Sequence, residues 1–178
     1  MKFEELKLKG AFLIHAEPFE DERGVFRRNF CAKEFADNGI ASEVHQANIS
    51  ENKFKHTLRG FHYQSSPYGE GKTMTVLKGG IYDIIVDLRK NSDTYLKWVS
   101  IELTPEMRTS FHIPPGCANA FLTTKKETLV HYYCSFPYSG LHEKGIRYND
   151  PLFKFKWPVE KPVYISAKDN SWPDFMPE

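Results

Sequence analysis

The chain has 178 residues, with 24 Lys and Arg against 23 Asp and Glu, enough for one domain with a sizeable core and almost no net charge. That balance removes the electrostatic case for nucleic acid or an anionic membrane as partner, while a local cluster of Arg and Lys could still hold an anionic small molecule. No stretch approaches the ~20 apolar residues of a membrane span, and MKFEELKLKG lacks the apolar run of a secretory signal; Cys31, Cys117 and Cys134 form no CxxC pair, so a cytoplasmic protein without a disulfide framework or a cysteine zinc site is expected.

Along the chain, CAKEFADNGI predicts a helix, with Ala32, Phe35 and Ala36 on one face and a stop at Asn38-Gly39. In VHQANIS, Gln46 and Asn48 share a face and His45 points away. In LRGFHYQ, alternation puts Gly60, His62 and Gln64 on one face and Arg59, Phe61 and Tyr63 on the other, with Gly60 a candidate bulge that would blur the pattern. KTMTVLKGGIYDIIVDLR predicts two strands of a hairpin turning at Gly79-Gly80, carrying Met74, Val76, Ile81, Ile84, Val86 and Leu88. WVSIELTP alternates, with Val99, Ile101 and Leu103 opposite Ser100 and Glu102. TSFHIPPGCANAFLTT reads as strand, Pro-Pro-Gly corner, strand, and ETLVHYYCSF as a strand with Val130, Tyr132 and Cys134 on one face and His131 and Tyr133 on the other. The C-terminal NDPLFKFKWP and ISAKDNSWPDF read as irregular, apart from one helical turn over 166–169 capped by Ser166. No repeat, low-complexity tract or linker interrupts the chain, so residues 1–178 form one domain. Many short strands predict an all-β sandwich or barrel, whose lumen would gather polar groups from several strands.

The segments DERGVFRRNF, HQANIS, TLRGFHYQ, GKTMTVLKGGIYDIIVDLRKNSDTY, IPPGCANAF, YYCSFPY…EKGIRYNDP and WP…ISAKD, taken in order, resemble the dTDP-4-dehydrorhamnose 3,5-epimerase family from about Asp21 to Trp172. The resemblance implies a cupin-type double-stranded β-helix, a jelly-roll barrel, with short peripheral helices. It also implies an epimerase that inverts C3, C5 or both in a nucleotide-linked 4-keto-6-deoxyhexose, without a cofactor. A hydrogen beside a ketone is acidic because its carbanion spreads onto the carbonyl oxygen, so inversion needs a base, an acid on the opposite face and a donor to the enolate. The resemblance gives His62 as base, Asp169 as the carboxylate that orients it, Tyr132 as acid and Lys72 as enolate donor. Arg23 and Arg59 match diphosphate-binding positions, Gln46 and Asn48 the sugar site, and Tyr138 a position near the nucleotide or sugar. Phe26 matches an aromatic on an N-terminal segment exchanged within a homodimer.

The family commonly has a His at the third position after the Gly of its P.GxAHGF segment; this chain has Asn119 there and Ala120 in place of the following Gly. Asn119 is therefore a candidate substrate-binding residue, and a change in substrate or in the number of carbons inverted is consistent with it. Histidine pairs that bind metal in other cupins are broken by Tyr63 and Gln64 after His62, and by Asn119, which argues against a metal site; Glu70 alone survives as a possible carboxylate ligand. A metal-dependent cupin enzyme, a ketoisomerase of the same sugars, and a non-enzymatic sugar-nucleotide binder are the alternatives. The other six histidines, with Arg89 and Arg147, read as structural or surface groups.

Overall fold

The computed structural model describes residues 1–177. In chain order the elements are β1 (Lys2–Glu5), β2 (Phe12–His15), β3 (Phe19–Asp21), β4 (Gly24–Phe26), α1 (Ala32–Asp37), β5 (Gln46–Asn52), β6 (Leu58–Gln64), β7 (Lys72–Lys78), β8 (Ile81–Asp87), β9 (Trp98–Leu103), a 3₁₀ turn (Pro105–Met107), β10 (Thr109–Ile113), β11 (Cys117–Thr123), β12 (Thr128–Cys134), β13 (Glu143–Gly145) and α2 (Ala167–Asn170). Two antiparallel sheets pack face to face, in the orders β1-β2-β10-β7-β12-β5 and β13-β6-β11-β8-β9. The expected all-β jelly roll is the fold. No helix among the described residues is long and apolar enough to cross a membrane.

Between β5 and β13 the chain crosses from one sheet to the other at every connection except β8 to β9. This corrects the hairpin expected at Gly79-Gly80: β7 pairs with β10 and β12, whereas β8 pairs with β11 and β9. Gly79, at φ +84, makes a corner between sheets instead of a turn within one, and a Cβ on it would lie 2.8 Å from Thr128 Cα. Local sequence looks alike in both cases, because each has two strands joined by a Gly pair. The discriminating signal is the apolar content of IYDIIVD, since a half-solvated hairpin strand would alternate. β8 is buried on both faces. Ile81 and Ile85 join Met74, Val76, Leu103, Phe111, Phe121 and Val130 in the inter-sheet core. Ile84 and Val86 instead join Phe61, Ala118, Ala120, Ile146 and Phe153 beneath the irregular C-terminal segment, which covers the outer face of the five-stranded sheet.

Helix α1 lies over the outer face of the other sheet, where Phe35 and Ile40 pack with Ile14. It stops at Asn38 and Gly39 as expected, but Ala32 and Ala36 are exposed, so the buried stripe reduces to Phe35. Six residues are too short a helix to bury a full face. One turn at the C-terminus matches its sequence reading closely: Ser166 caps α2, its Oγ accepting from Asp169 N at 3.0 Å.

Strand β6 departs from strict alternation. Asn119 of β11 faces His62, while the next residue, Ala120, faces Gly60, so Phe61 is the extra residue of a bulge. Phe61 turns into the outer core, and Arg59, opposite Phe121, turns inward. The face assignment made for Arg59 from alternation is thereby reversed. Gly60 has φ +112, and a Cβ there would lie 2.5 Å from the Asn119 carbonyl oxygen. Gly60→Ala should therefore lower unfolding free energy by about 2–4 kcal/mol, from backbone strain together with overpacking. Urea denaturation followed by tryptophan fluorescence measures this, and a loss below about 0.5 kcal/mol would mean the bulge is not under this constraint.

Candidate active site

Between the sheets, at one end of the core, a cavity of about 500 Å³ opens to solvent. The five-stranded sheet contributes Arg59, His62, Gln64, Asn119, Phe121 and Glu143, and the six-stranded sheet contributes Gln46, Asn48, Lys72, Met74, Tyr132 and Cys134. Inward alternation on β5, β7 and β12 delivers their groups, and the β6 bulge delivers Arg59 alongside His62. His62 and Tyr132 thus stand on opposite walls.

Behind His62 lies Asp169, which does not face this cavity and is buried. Its Oδ1 is 2.7 Å from His62 Nε2, and its Oδ2 accepts from Gly60 N at 3.2 Å. The segment leading to α2 is tied to β6 by a parallel bridge between Thr57 and Tyr164 and by Leu58 N donating to Tyr164 O at 2.8 Å. Burial pushes the Asp169 carboxyl up, but the His62 hydrogen bond and charge, helped by the Gly60 amide, hold it below its ordinary value. The imidazole is therefore backed by a carboxylate at neutral pH, with its other nitrogen directed away from that partner.

Tyr132 has no hydrogen-bond partner for its hydroxyl among the described residues. Burial, with Cys134 and Glu70 nearby, raises its pKa, so the phenol keeps its proton at neutral pH. Lys72 reaches Glu70 at 3.0 Å, both side chains being largely buried. Glu70 thus serves as a counter-ion that fixes the ammonium in the wall. Arg59 sits at the mouth, its Nε donating to Asn52 Oδ1 at 2.8 Å, which leaves the terminal nitrogens of the guanidinium toward solvent.

The rim is a loop carrying Tyr138. Gln46 Oε1 accepts from Tyr138 N at 2.7 Å, and Gln64 Oε1 accepts from Ser139 N. Tyr138 Oη donates to Glu143 Oε2 at 2.6 Å, and Lys168 Nζ reaches the same oxygen at 2.6 Å. Gln46 is thus a latch for the rim as well as a wall residue. Arg23 and Phe26 are not in this cavity. They sit on the β3–β4 hairpin, Arg23 paired with Asp21 at 2.6 Å and Phe26 exposed. Sequence reasoning placed Gln64 on the same face as His62 but gave it no role in binding, passed over Asp83 and Lys168, and gave Glu143 no role. Arg89 and Arg147 make ion pairs with Asp87 and Asp174, as their structural reading requires.

Three comparisons bear on this arrangement. A sequence model of the dTDP-4-dehydrorhamnose 3,5-epimerase family matches residues 5–176. A dTDP-4-dehydrorhamnose 3,5-epimerase of Methanothermobacter thermautotrophicus is 39% identical over 173 residues, covering 96% of this chain and 92% of that protein. Among solved structures, the dTDP-4-dehydrorhamnose 3,5-epimerase of Bacillus anthracis with TDP and PPi bound superposes with a TM-score of 0.93 at 33% identity, over 98% of this chain and 99% of that one. A dTDP-6-deoxy-D-glucose-3,5-epimerase of Legionella pneumophila in complex with dTDP-4-keto-L-rhamnose gives 0.88 at 34% identity, over 94% and 89%.

The depressed Asp169 carboxyl has a consequence for stability. A group whose folded pKa lies below its unfolded value stabilises the fold above the unfolded value, and that contribution is lost as pH falls. The unmodified protein should exceed Asp169→Asn by about 1–3 kcal/mol near pH 7. The gap should shrink as pH drops through about 4. Paired urea titrations from pH 7 to pH 3 measure it; a gap constant across that range would show that Asp169 is not the charged partner.

Proposed function

The chain belongs to the dTDP-4-dehydrorhamnose 3,5-epimerase family, and from that premise we propose that it epimerises a nucleotide-linked 4-keto-6-deoxyhexose at C3, C5 or both, by proton abstraction beside the ketone. The observation that carries this reading is His62, backed by Asp169, facing Tyr132 across one cavity. His62, oriented by Asp169, takes the proton from a carbon next to the carbonyl. Lys72 donates to the oxygen on which enolate charge develops, and Glu70 keeps the ammonium in place while the oxygen is still neutral. Tyr132 returns a proton from the opposite wall, so the centre inverts. Positioned acid–base groups contribute roughly 10²–10⁴-fold each. No step requires a cofactor or a metal ion.

Arg59 at the mouth takes part of the diphosphate, with Tyr138 and Asn48 lining the path of the nucleotide and sugar. In this reading one domain spans residues 1–178 and works as a homodimer, each subunit lending Arg23 and Phe26 to its partner's cavity. What supports the exchange is the β3–β4 hairpin, which among the described residues forms a two-stranded sheet of its own and leaves Phe19, Val25 and Phe26 exposed. Three free cysteines agree with work in the reducing cytoplasm.

Incubation with dTDP-linked 4-keto-6-deoxyglucose in heavy water should place deuterium at C3, C5 or both, as read by NMR. His62→Ala should lose at least about 10²-fold in exchange. Tyr132→Phe should separate the two halves of the reaction, still exchanging hydrogen from the His62 side while inverting far more slowly. Inversion by Tyr132→Phe at the unmodified rate would remove Tyr132 from the acid's role, and full exchange by His62→Ala would remove the base.

A further inference from the structure

Asn119 stands beside His62 on the cavity wall, the two being cross-strand partners of β11 and β6. Behind it, on the inner face of β8, Asp83 is fully buried between Ile81 and Ile85. Asn119 Nδ2 lies 2.9 Å from Asp83 Oδ2 and 3.4 Å from Met74 Sδ. Both neighbours are acceptors, so they decide which end of the amide meets the wall. The NH₂ faces inward and Oδ1 is left over. Among the described residues the sealed side-chain polar atoms without a partner are Asp83 Oδ1, Arg147 Nε and Trp172 Nε1. Asn119 Oδ1 also has no partner, yet it is not among the sealed atoms, because it fronts the cavity.

Four of the neighbouring side-chain acceptors are spoken for, whereas Asn48 on the facing sheet uses only its Nδ2, toward Cys134 Sγ. Gln46 and Gln64 spend their oxygens on the rim loop, Glu70 holds Lys72, and Glu143 holds Tyr138 and Lys168. Burial pushes the Asp83 carboxyl well above the usual carboxylate range, against the Asn119 hydrogen bond and the Lys72 charge.

We infer that Asn119 is a specificity-determining residue, whose Oδ1 accepts a hydrogen bond from a sugar-ring hydroxyl next to the reacting carbon, with Asp83 as the positioning residue that fixes the amide. This rests on the 4-keto-sugar reading above. An amide in this place reads a donor and exchanges no proton, so it selects among hydroxylation patterns without taking part in acid–base chemistry.

The test compares kcat/KM for deuterium incorporation from heavy water, at whichever of C3 and C5 exchanges, in three probes: dTDP-linked 4-keto-6-deoxyglucose and its 2-deoxy and 3-deoxy counterparts. The unmodified protein should favour the fully hydroxylated probe over one of the deoxy forms by about tenfold or more. In Asn119→Ala, and in the near-isosteric Asn119→Leu, that preference should fall to within about threefold of unity. Asp83→Asn, which still offers an uncharged acceptor, should keep the preference, and Asp83→Ala should weaken it. Taking a ratio within each variant cancels a general loss of folded protein. Equal exchange of all three probes by the unmodified protein, or a preference that survives in both Asn119 variants, overturns the inference and leaves the epimerase reading standing. Absence of exchange with every probe overturns both.

Discussion

One carboxylate ties one wall of the cavity together. Asp169 accepts from the backbone of Gly60 with one oxygen and meets His62 Nε2 with the other, two residues apart on the same strand. Both contacts need the bulge. On a regular strand Gly60 and His62 would face the same way and Arg59 would face away; the extra residue at Phe61 lets the strand offer an amide to Asp169 while His62 and Arg59 turn inward. Gly60 makes the bulge possible because its backbone sits at positive φ with Asn119 pressed against it. Far along the chain, Ser166 starts the short helix that aims Asp169. A glycine, a serine cap and a carboxylate from distant parts of the chain thus converge on the orientation of one imidazole.

The cavity occupies the same layer as the core, which explains its economy. Met74 and Phe121 belong both to its wall and to the inter-sheet cluster. Every polar group admitted there loses solvation and must find a partner. Most do: Lys72 has Glu70, Asn119 has Asp83, and the two glutamines have the rim loop. Among the described residues, the hydroxyl of Tyr132, Asn119 Oδ1, Asn48 Oδ1 and the second ring nitrogen of His62 are left without one, and all four residues line the open space. In a packed interior, the unsatisfied atoms that border a cavity mark where a ligand's polar atoms belong.

The sequence was most legible where a short-range rule operates. The Ser166 cap, the stop at Asn38-Gly39, the alternation of β9 and the Pro-Pro-Gly corner all depend on neighbours within a few residues. The His62–Asp169 pair spans 107 residues and was reached through the family resemblance alone. Errors arose where local pattern is ambiguous in principle. A Gly pair between apolar strands suits a hairpin or a sheet-crossing corner, and only the two-sided burial of β8 separates them. A one-residue bulge reverses the facing of what precedes it, which is why Arg59 was put on the wrong side. Asp83 escaped notice because one acid in IYDIIVD looks like the polar side of an alternating strand; its partner lies 36 residues away. Glu143 likewise gains meaning only when the rim tyrosine and α2 meet over it.

Gln46 comes from the edge strand of one sheet and Gln64 from the other, and both grip adjacent amides of the same lip. The entrance is thereby strung between the two halves of the sandwich. Its width is geared to how far apart those halves rest, and so to the bulk of side chains such as Phe111 and Val130, which touch no part of the doorway. A swap of oily residues deep in the protein would reach the incoming molecule as a wider or narrower gate, even with every reacting group untouched.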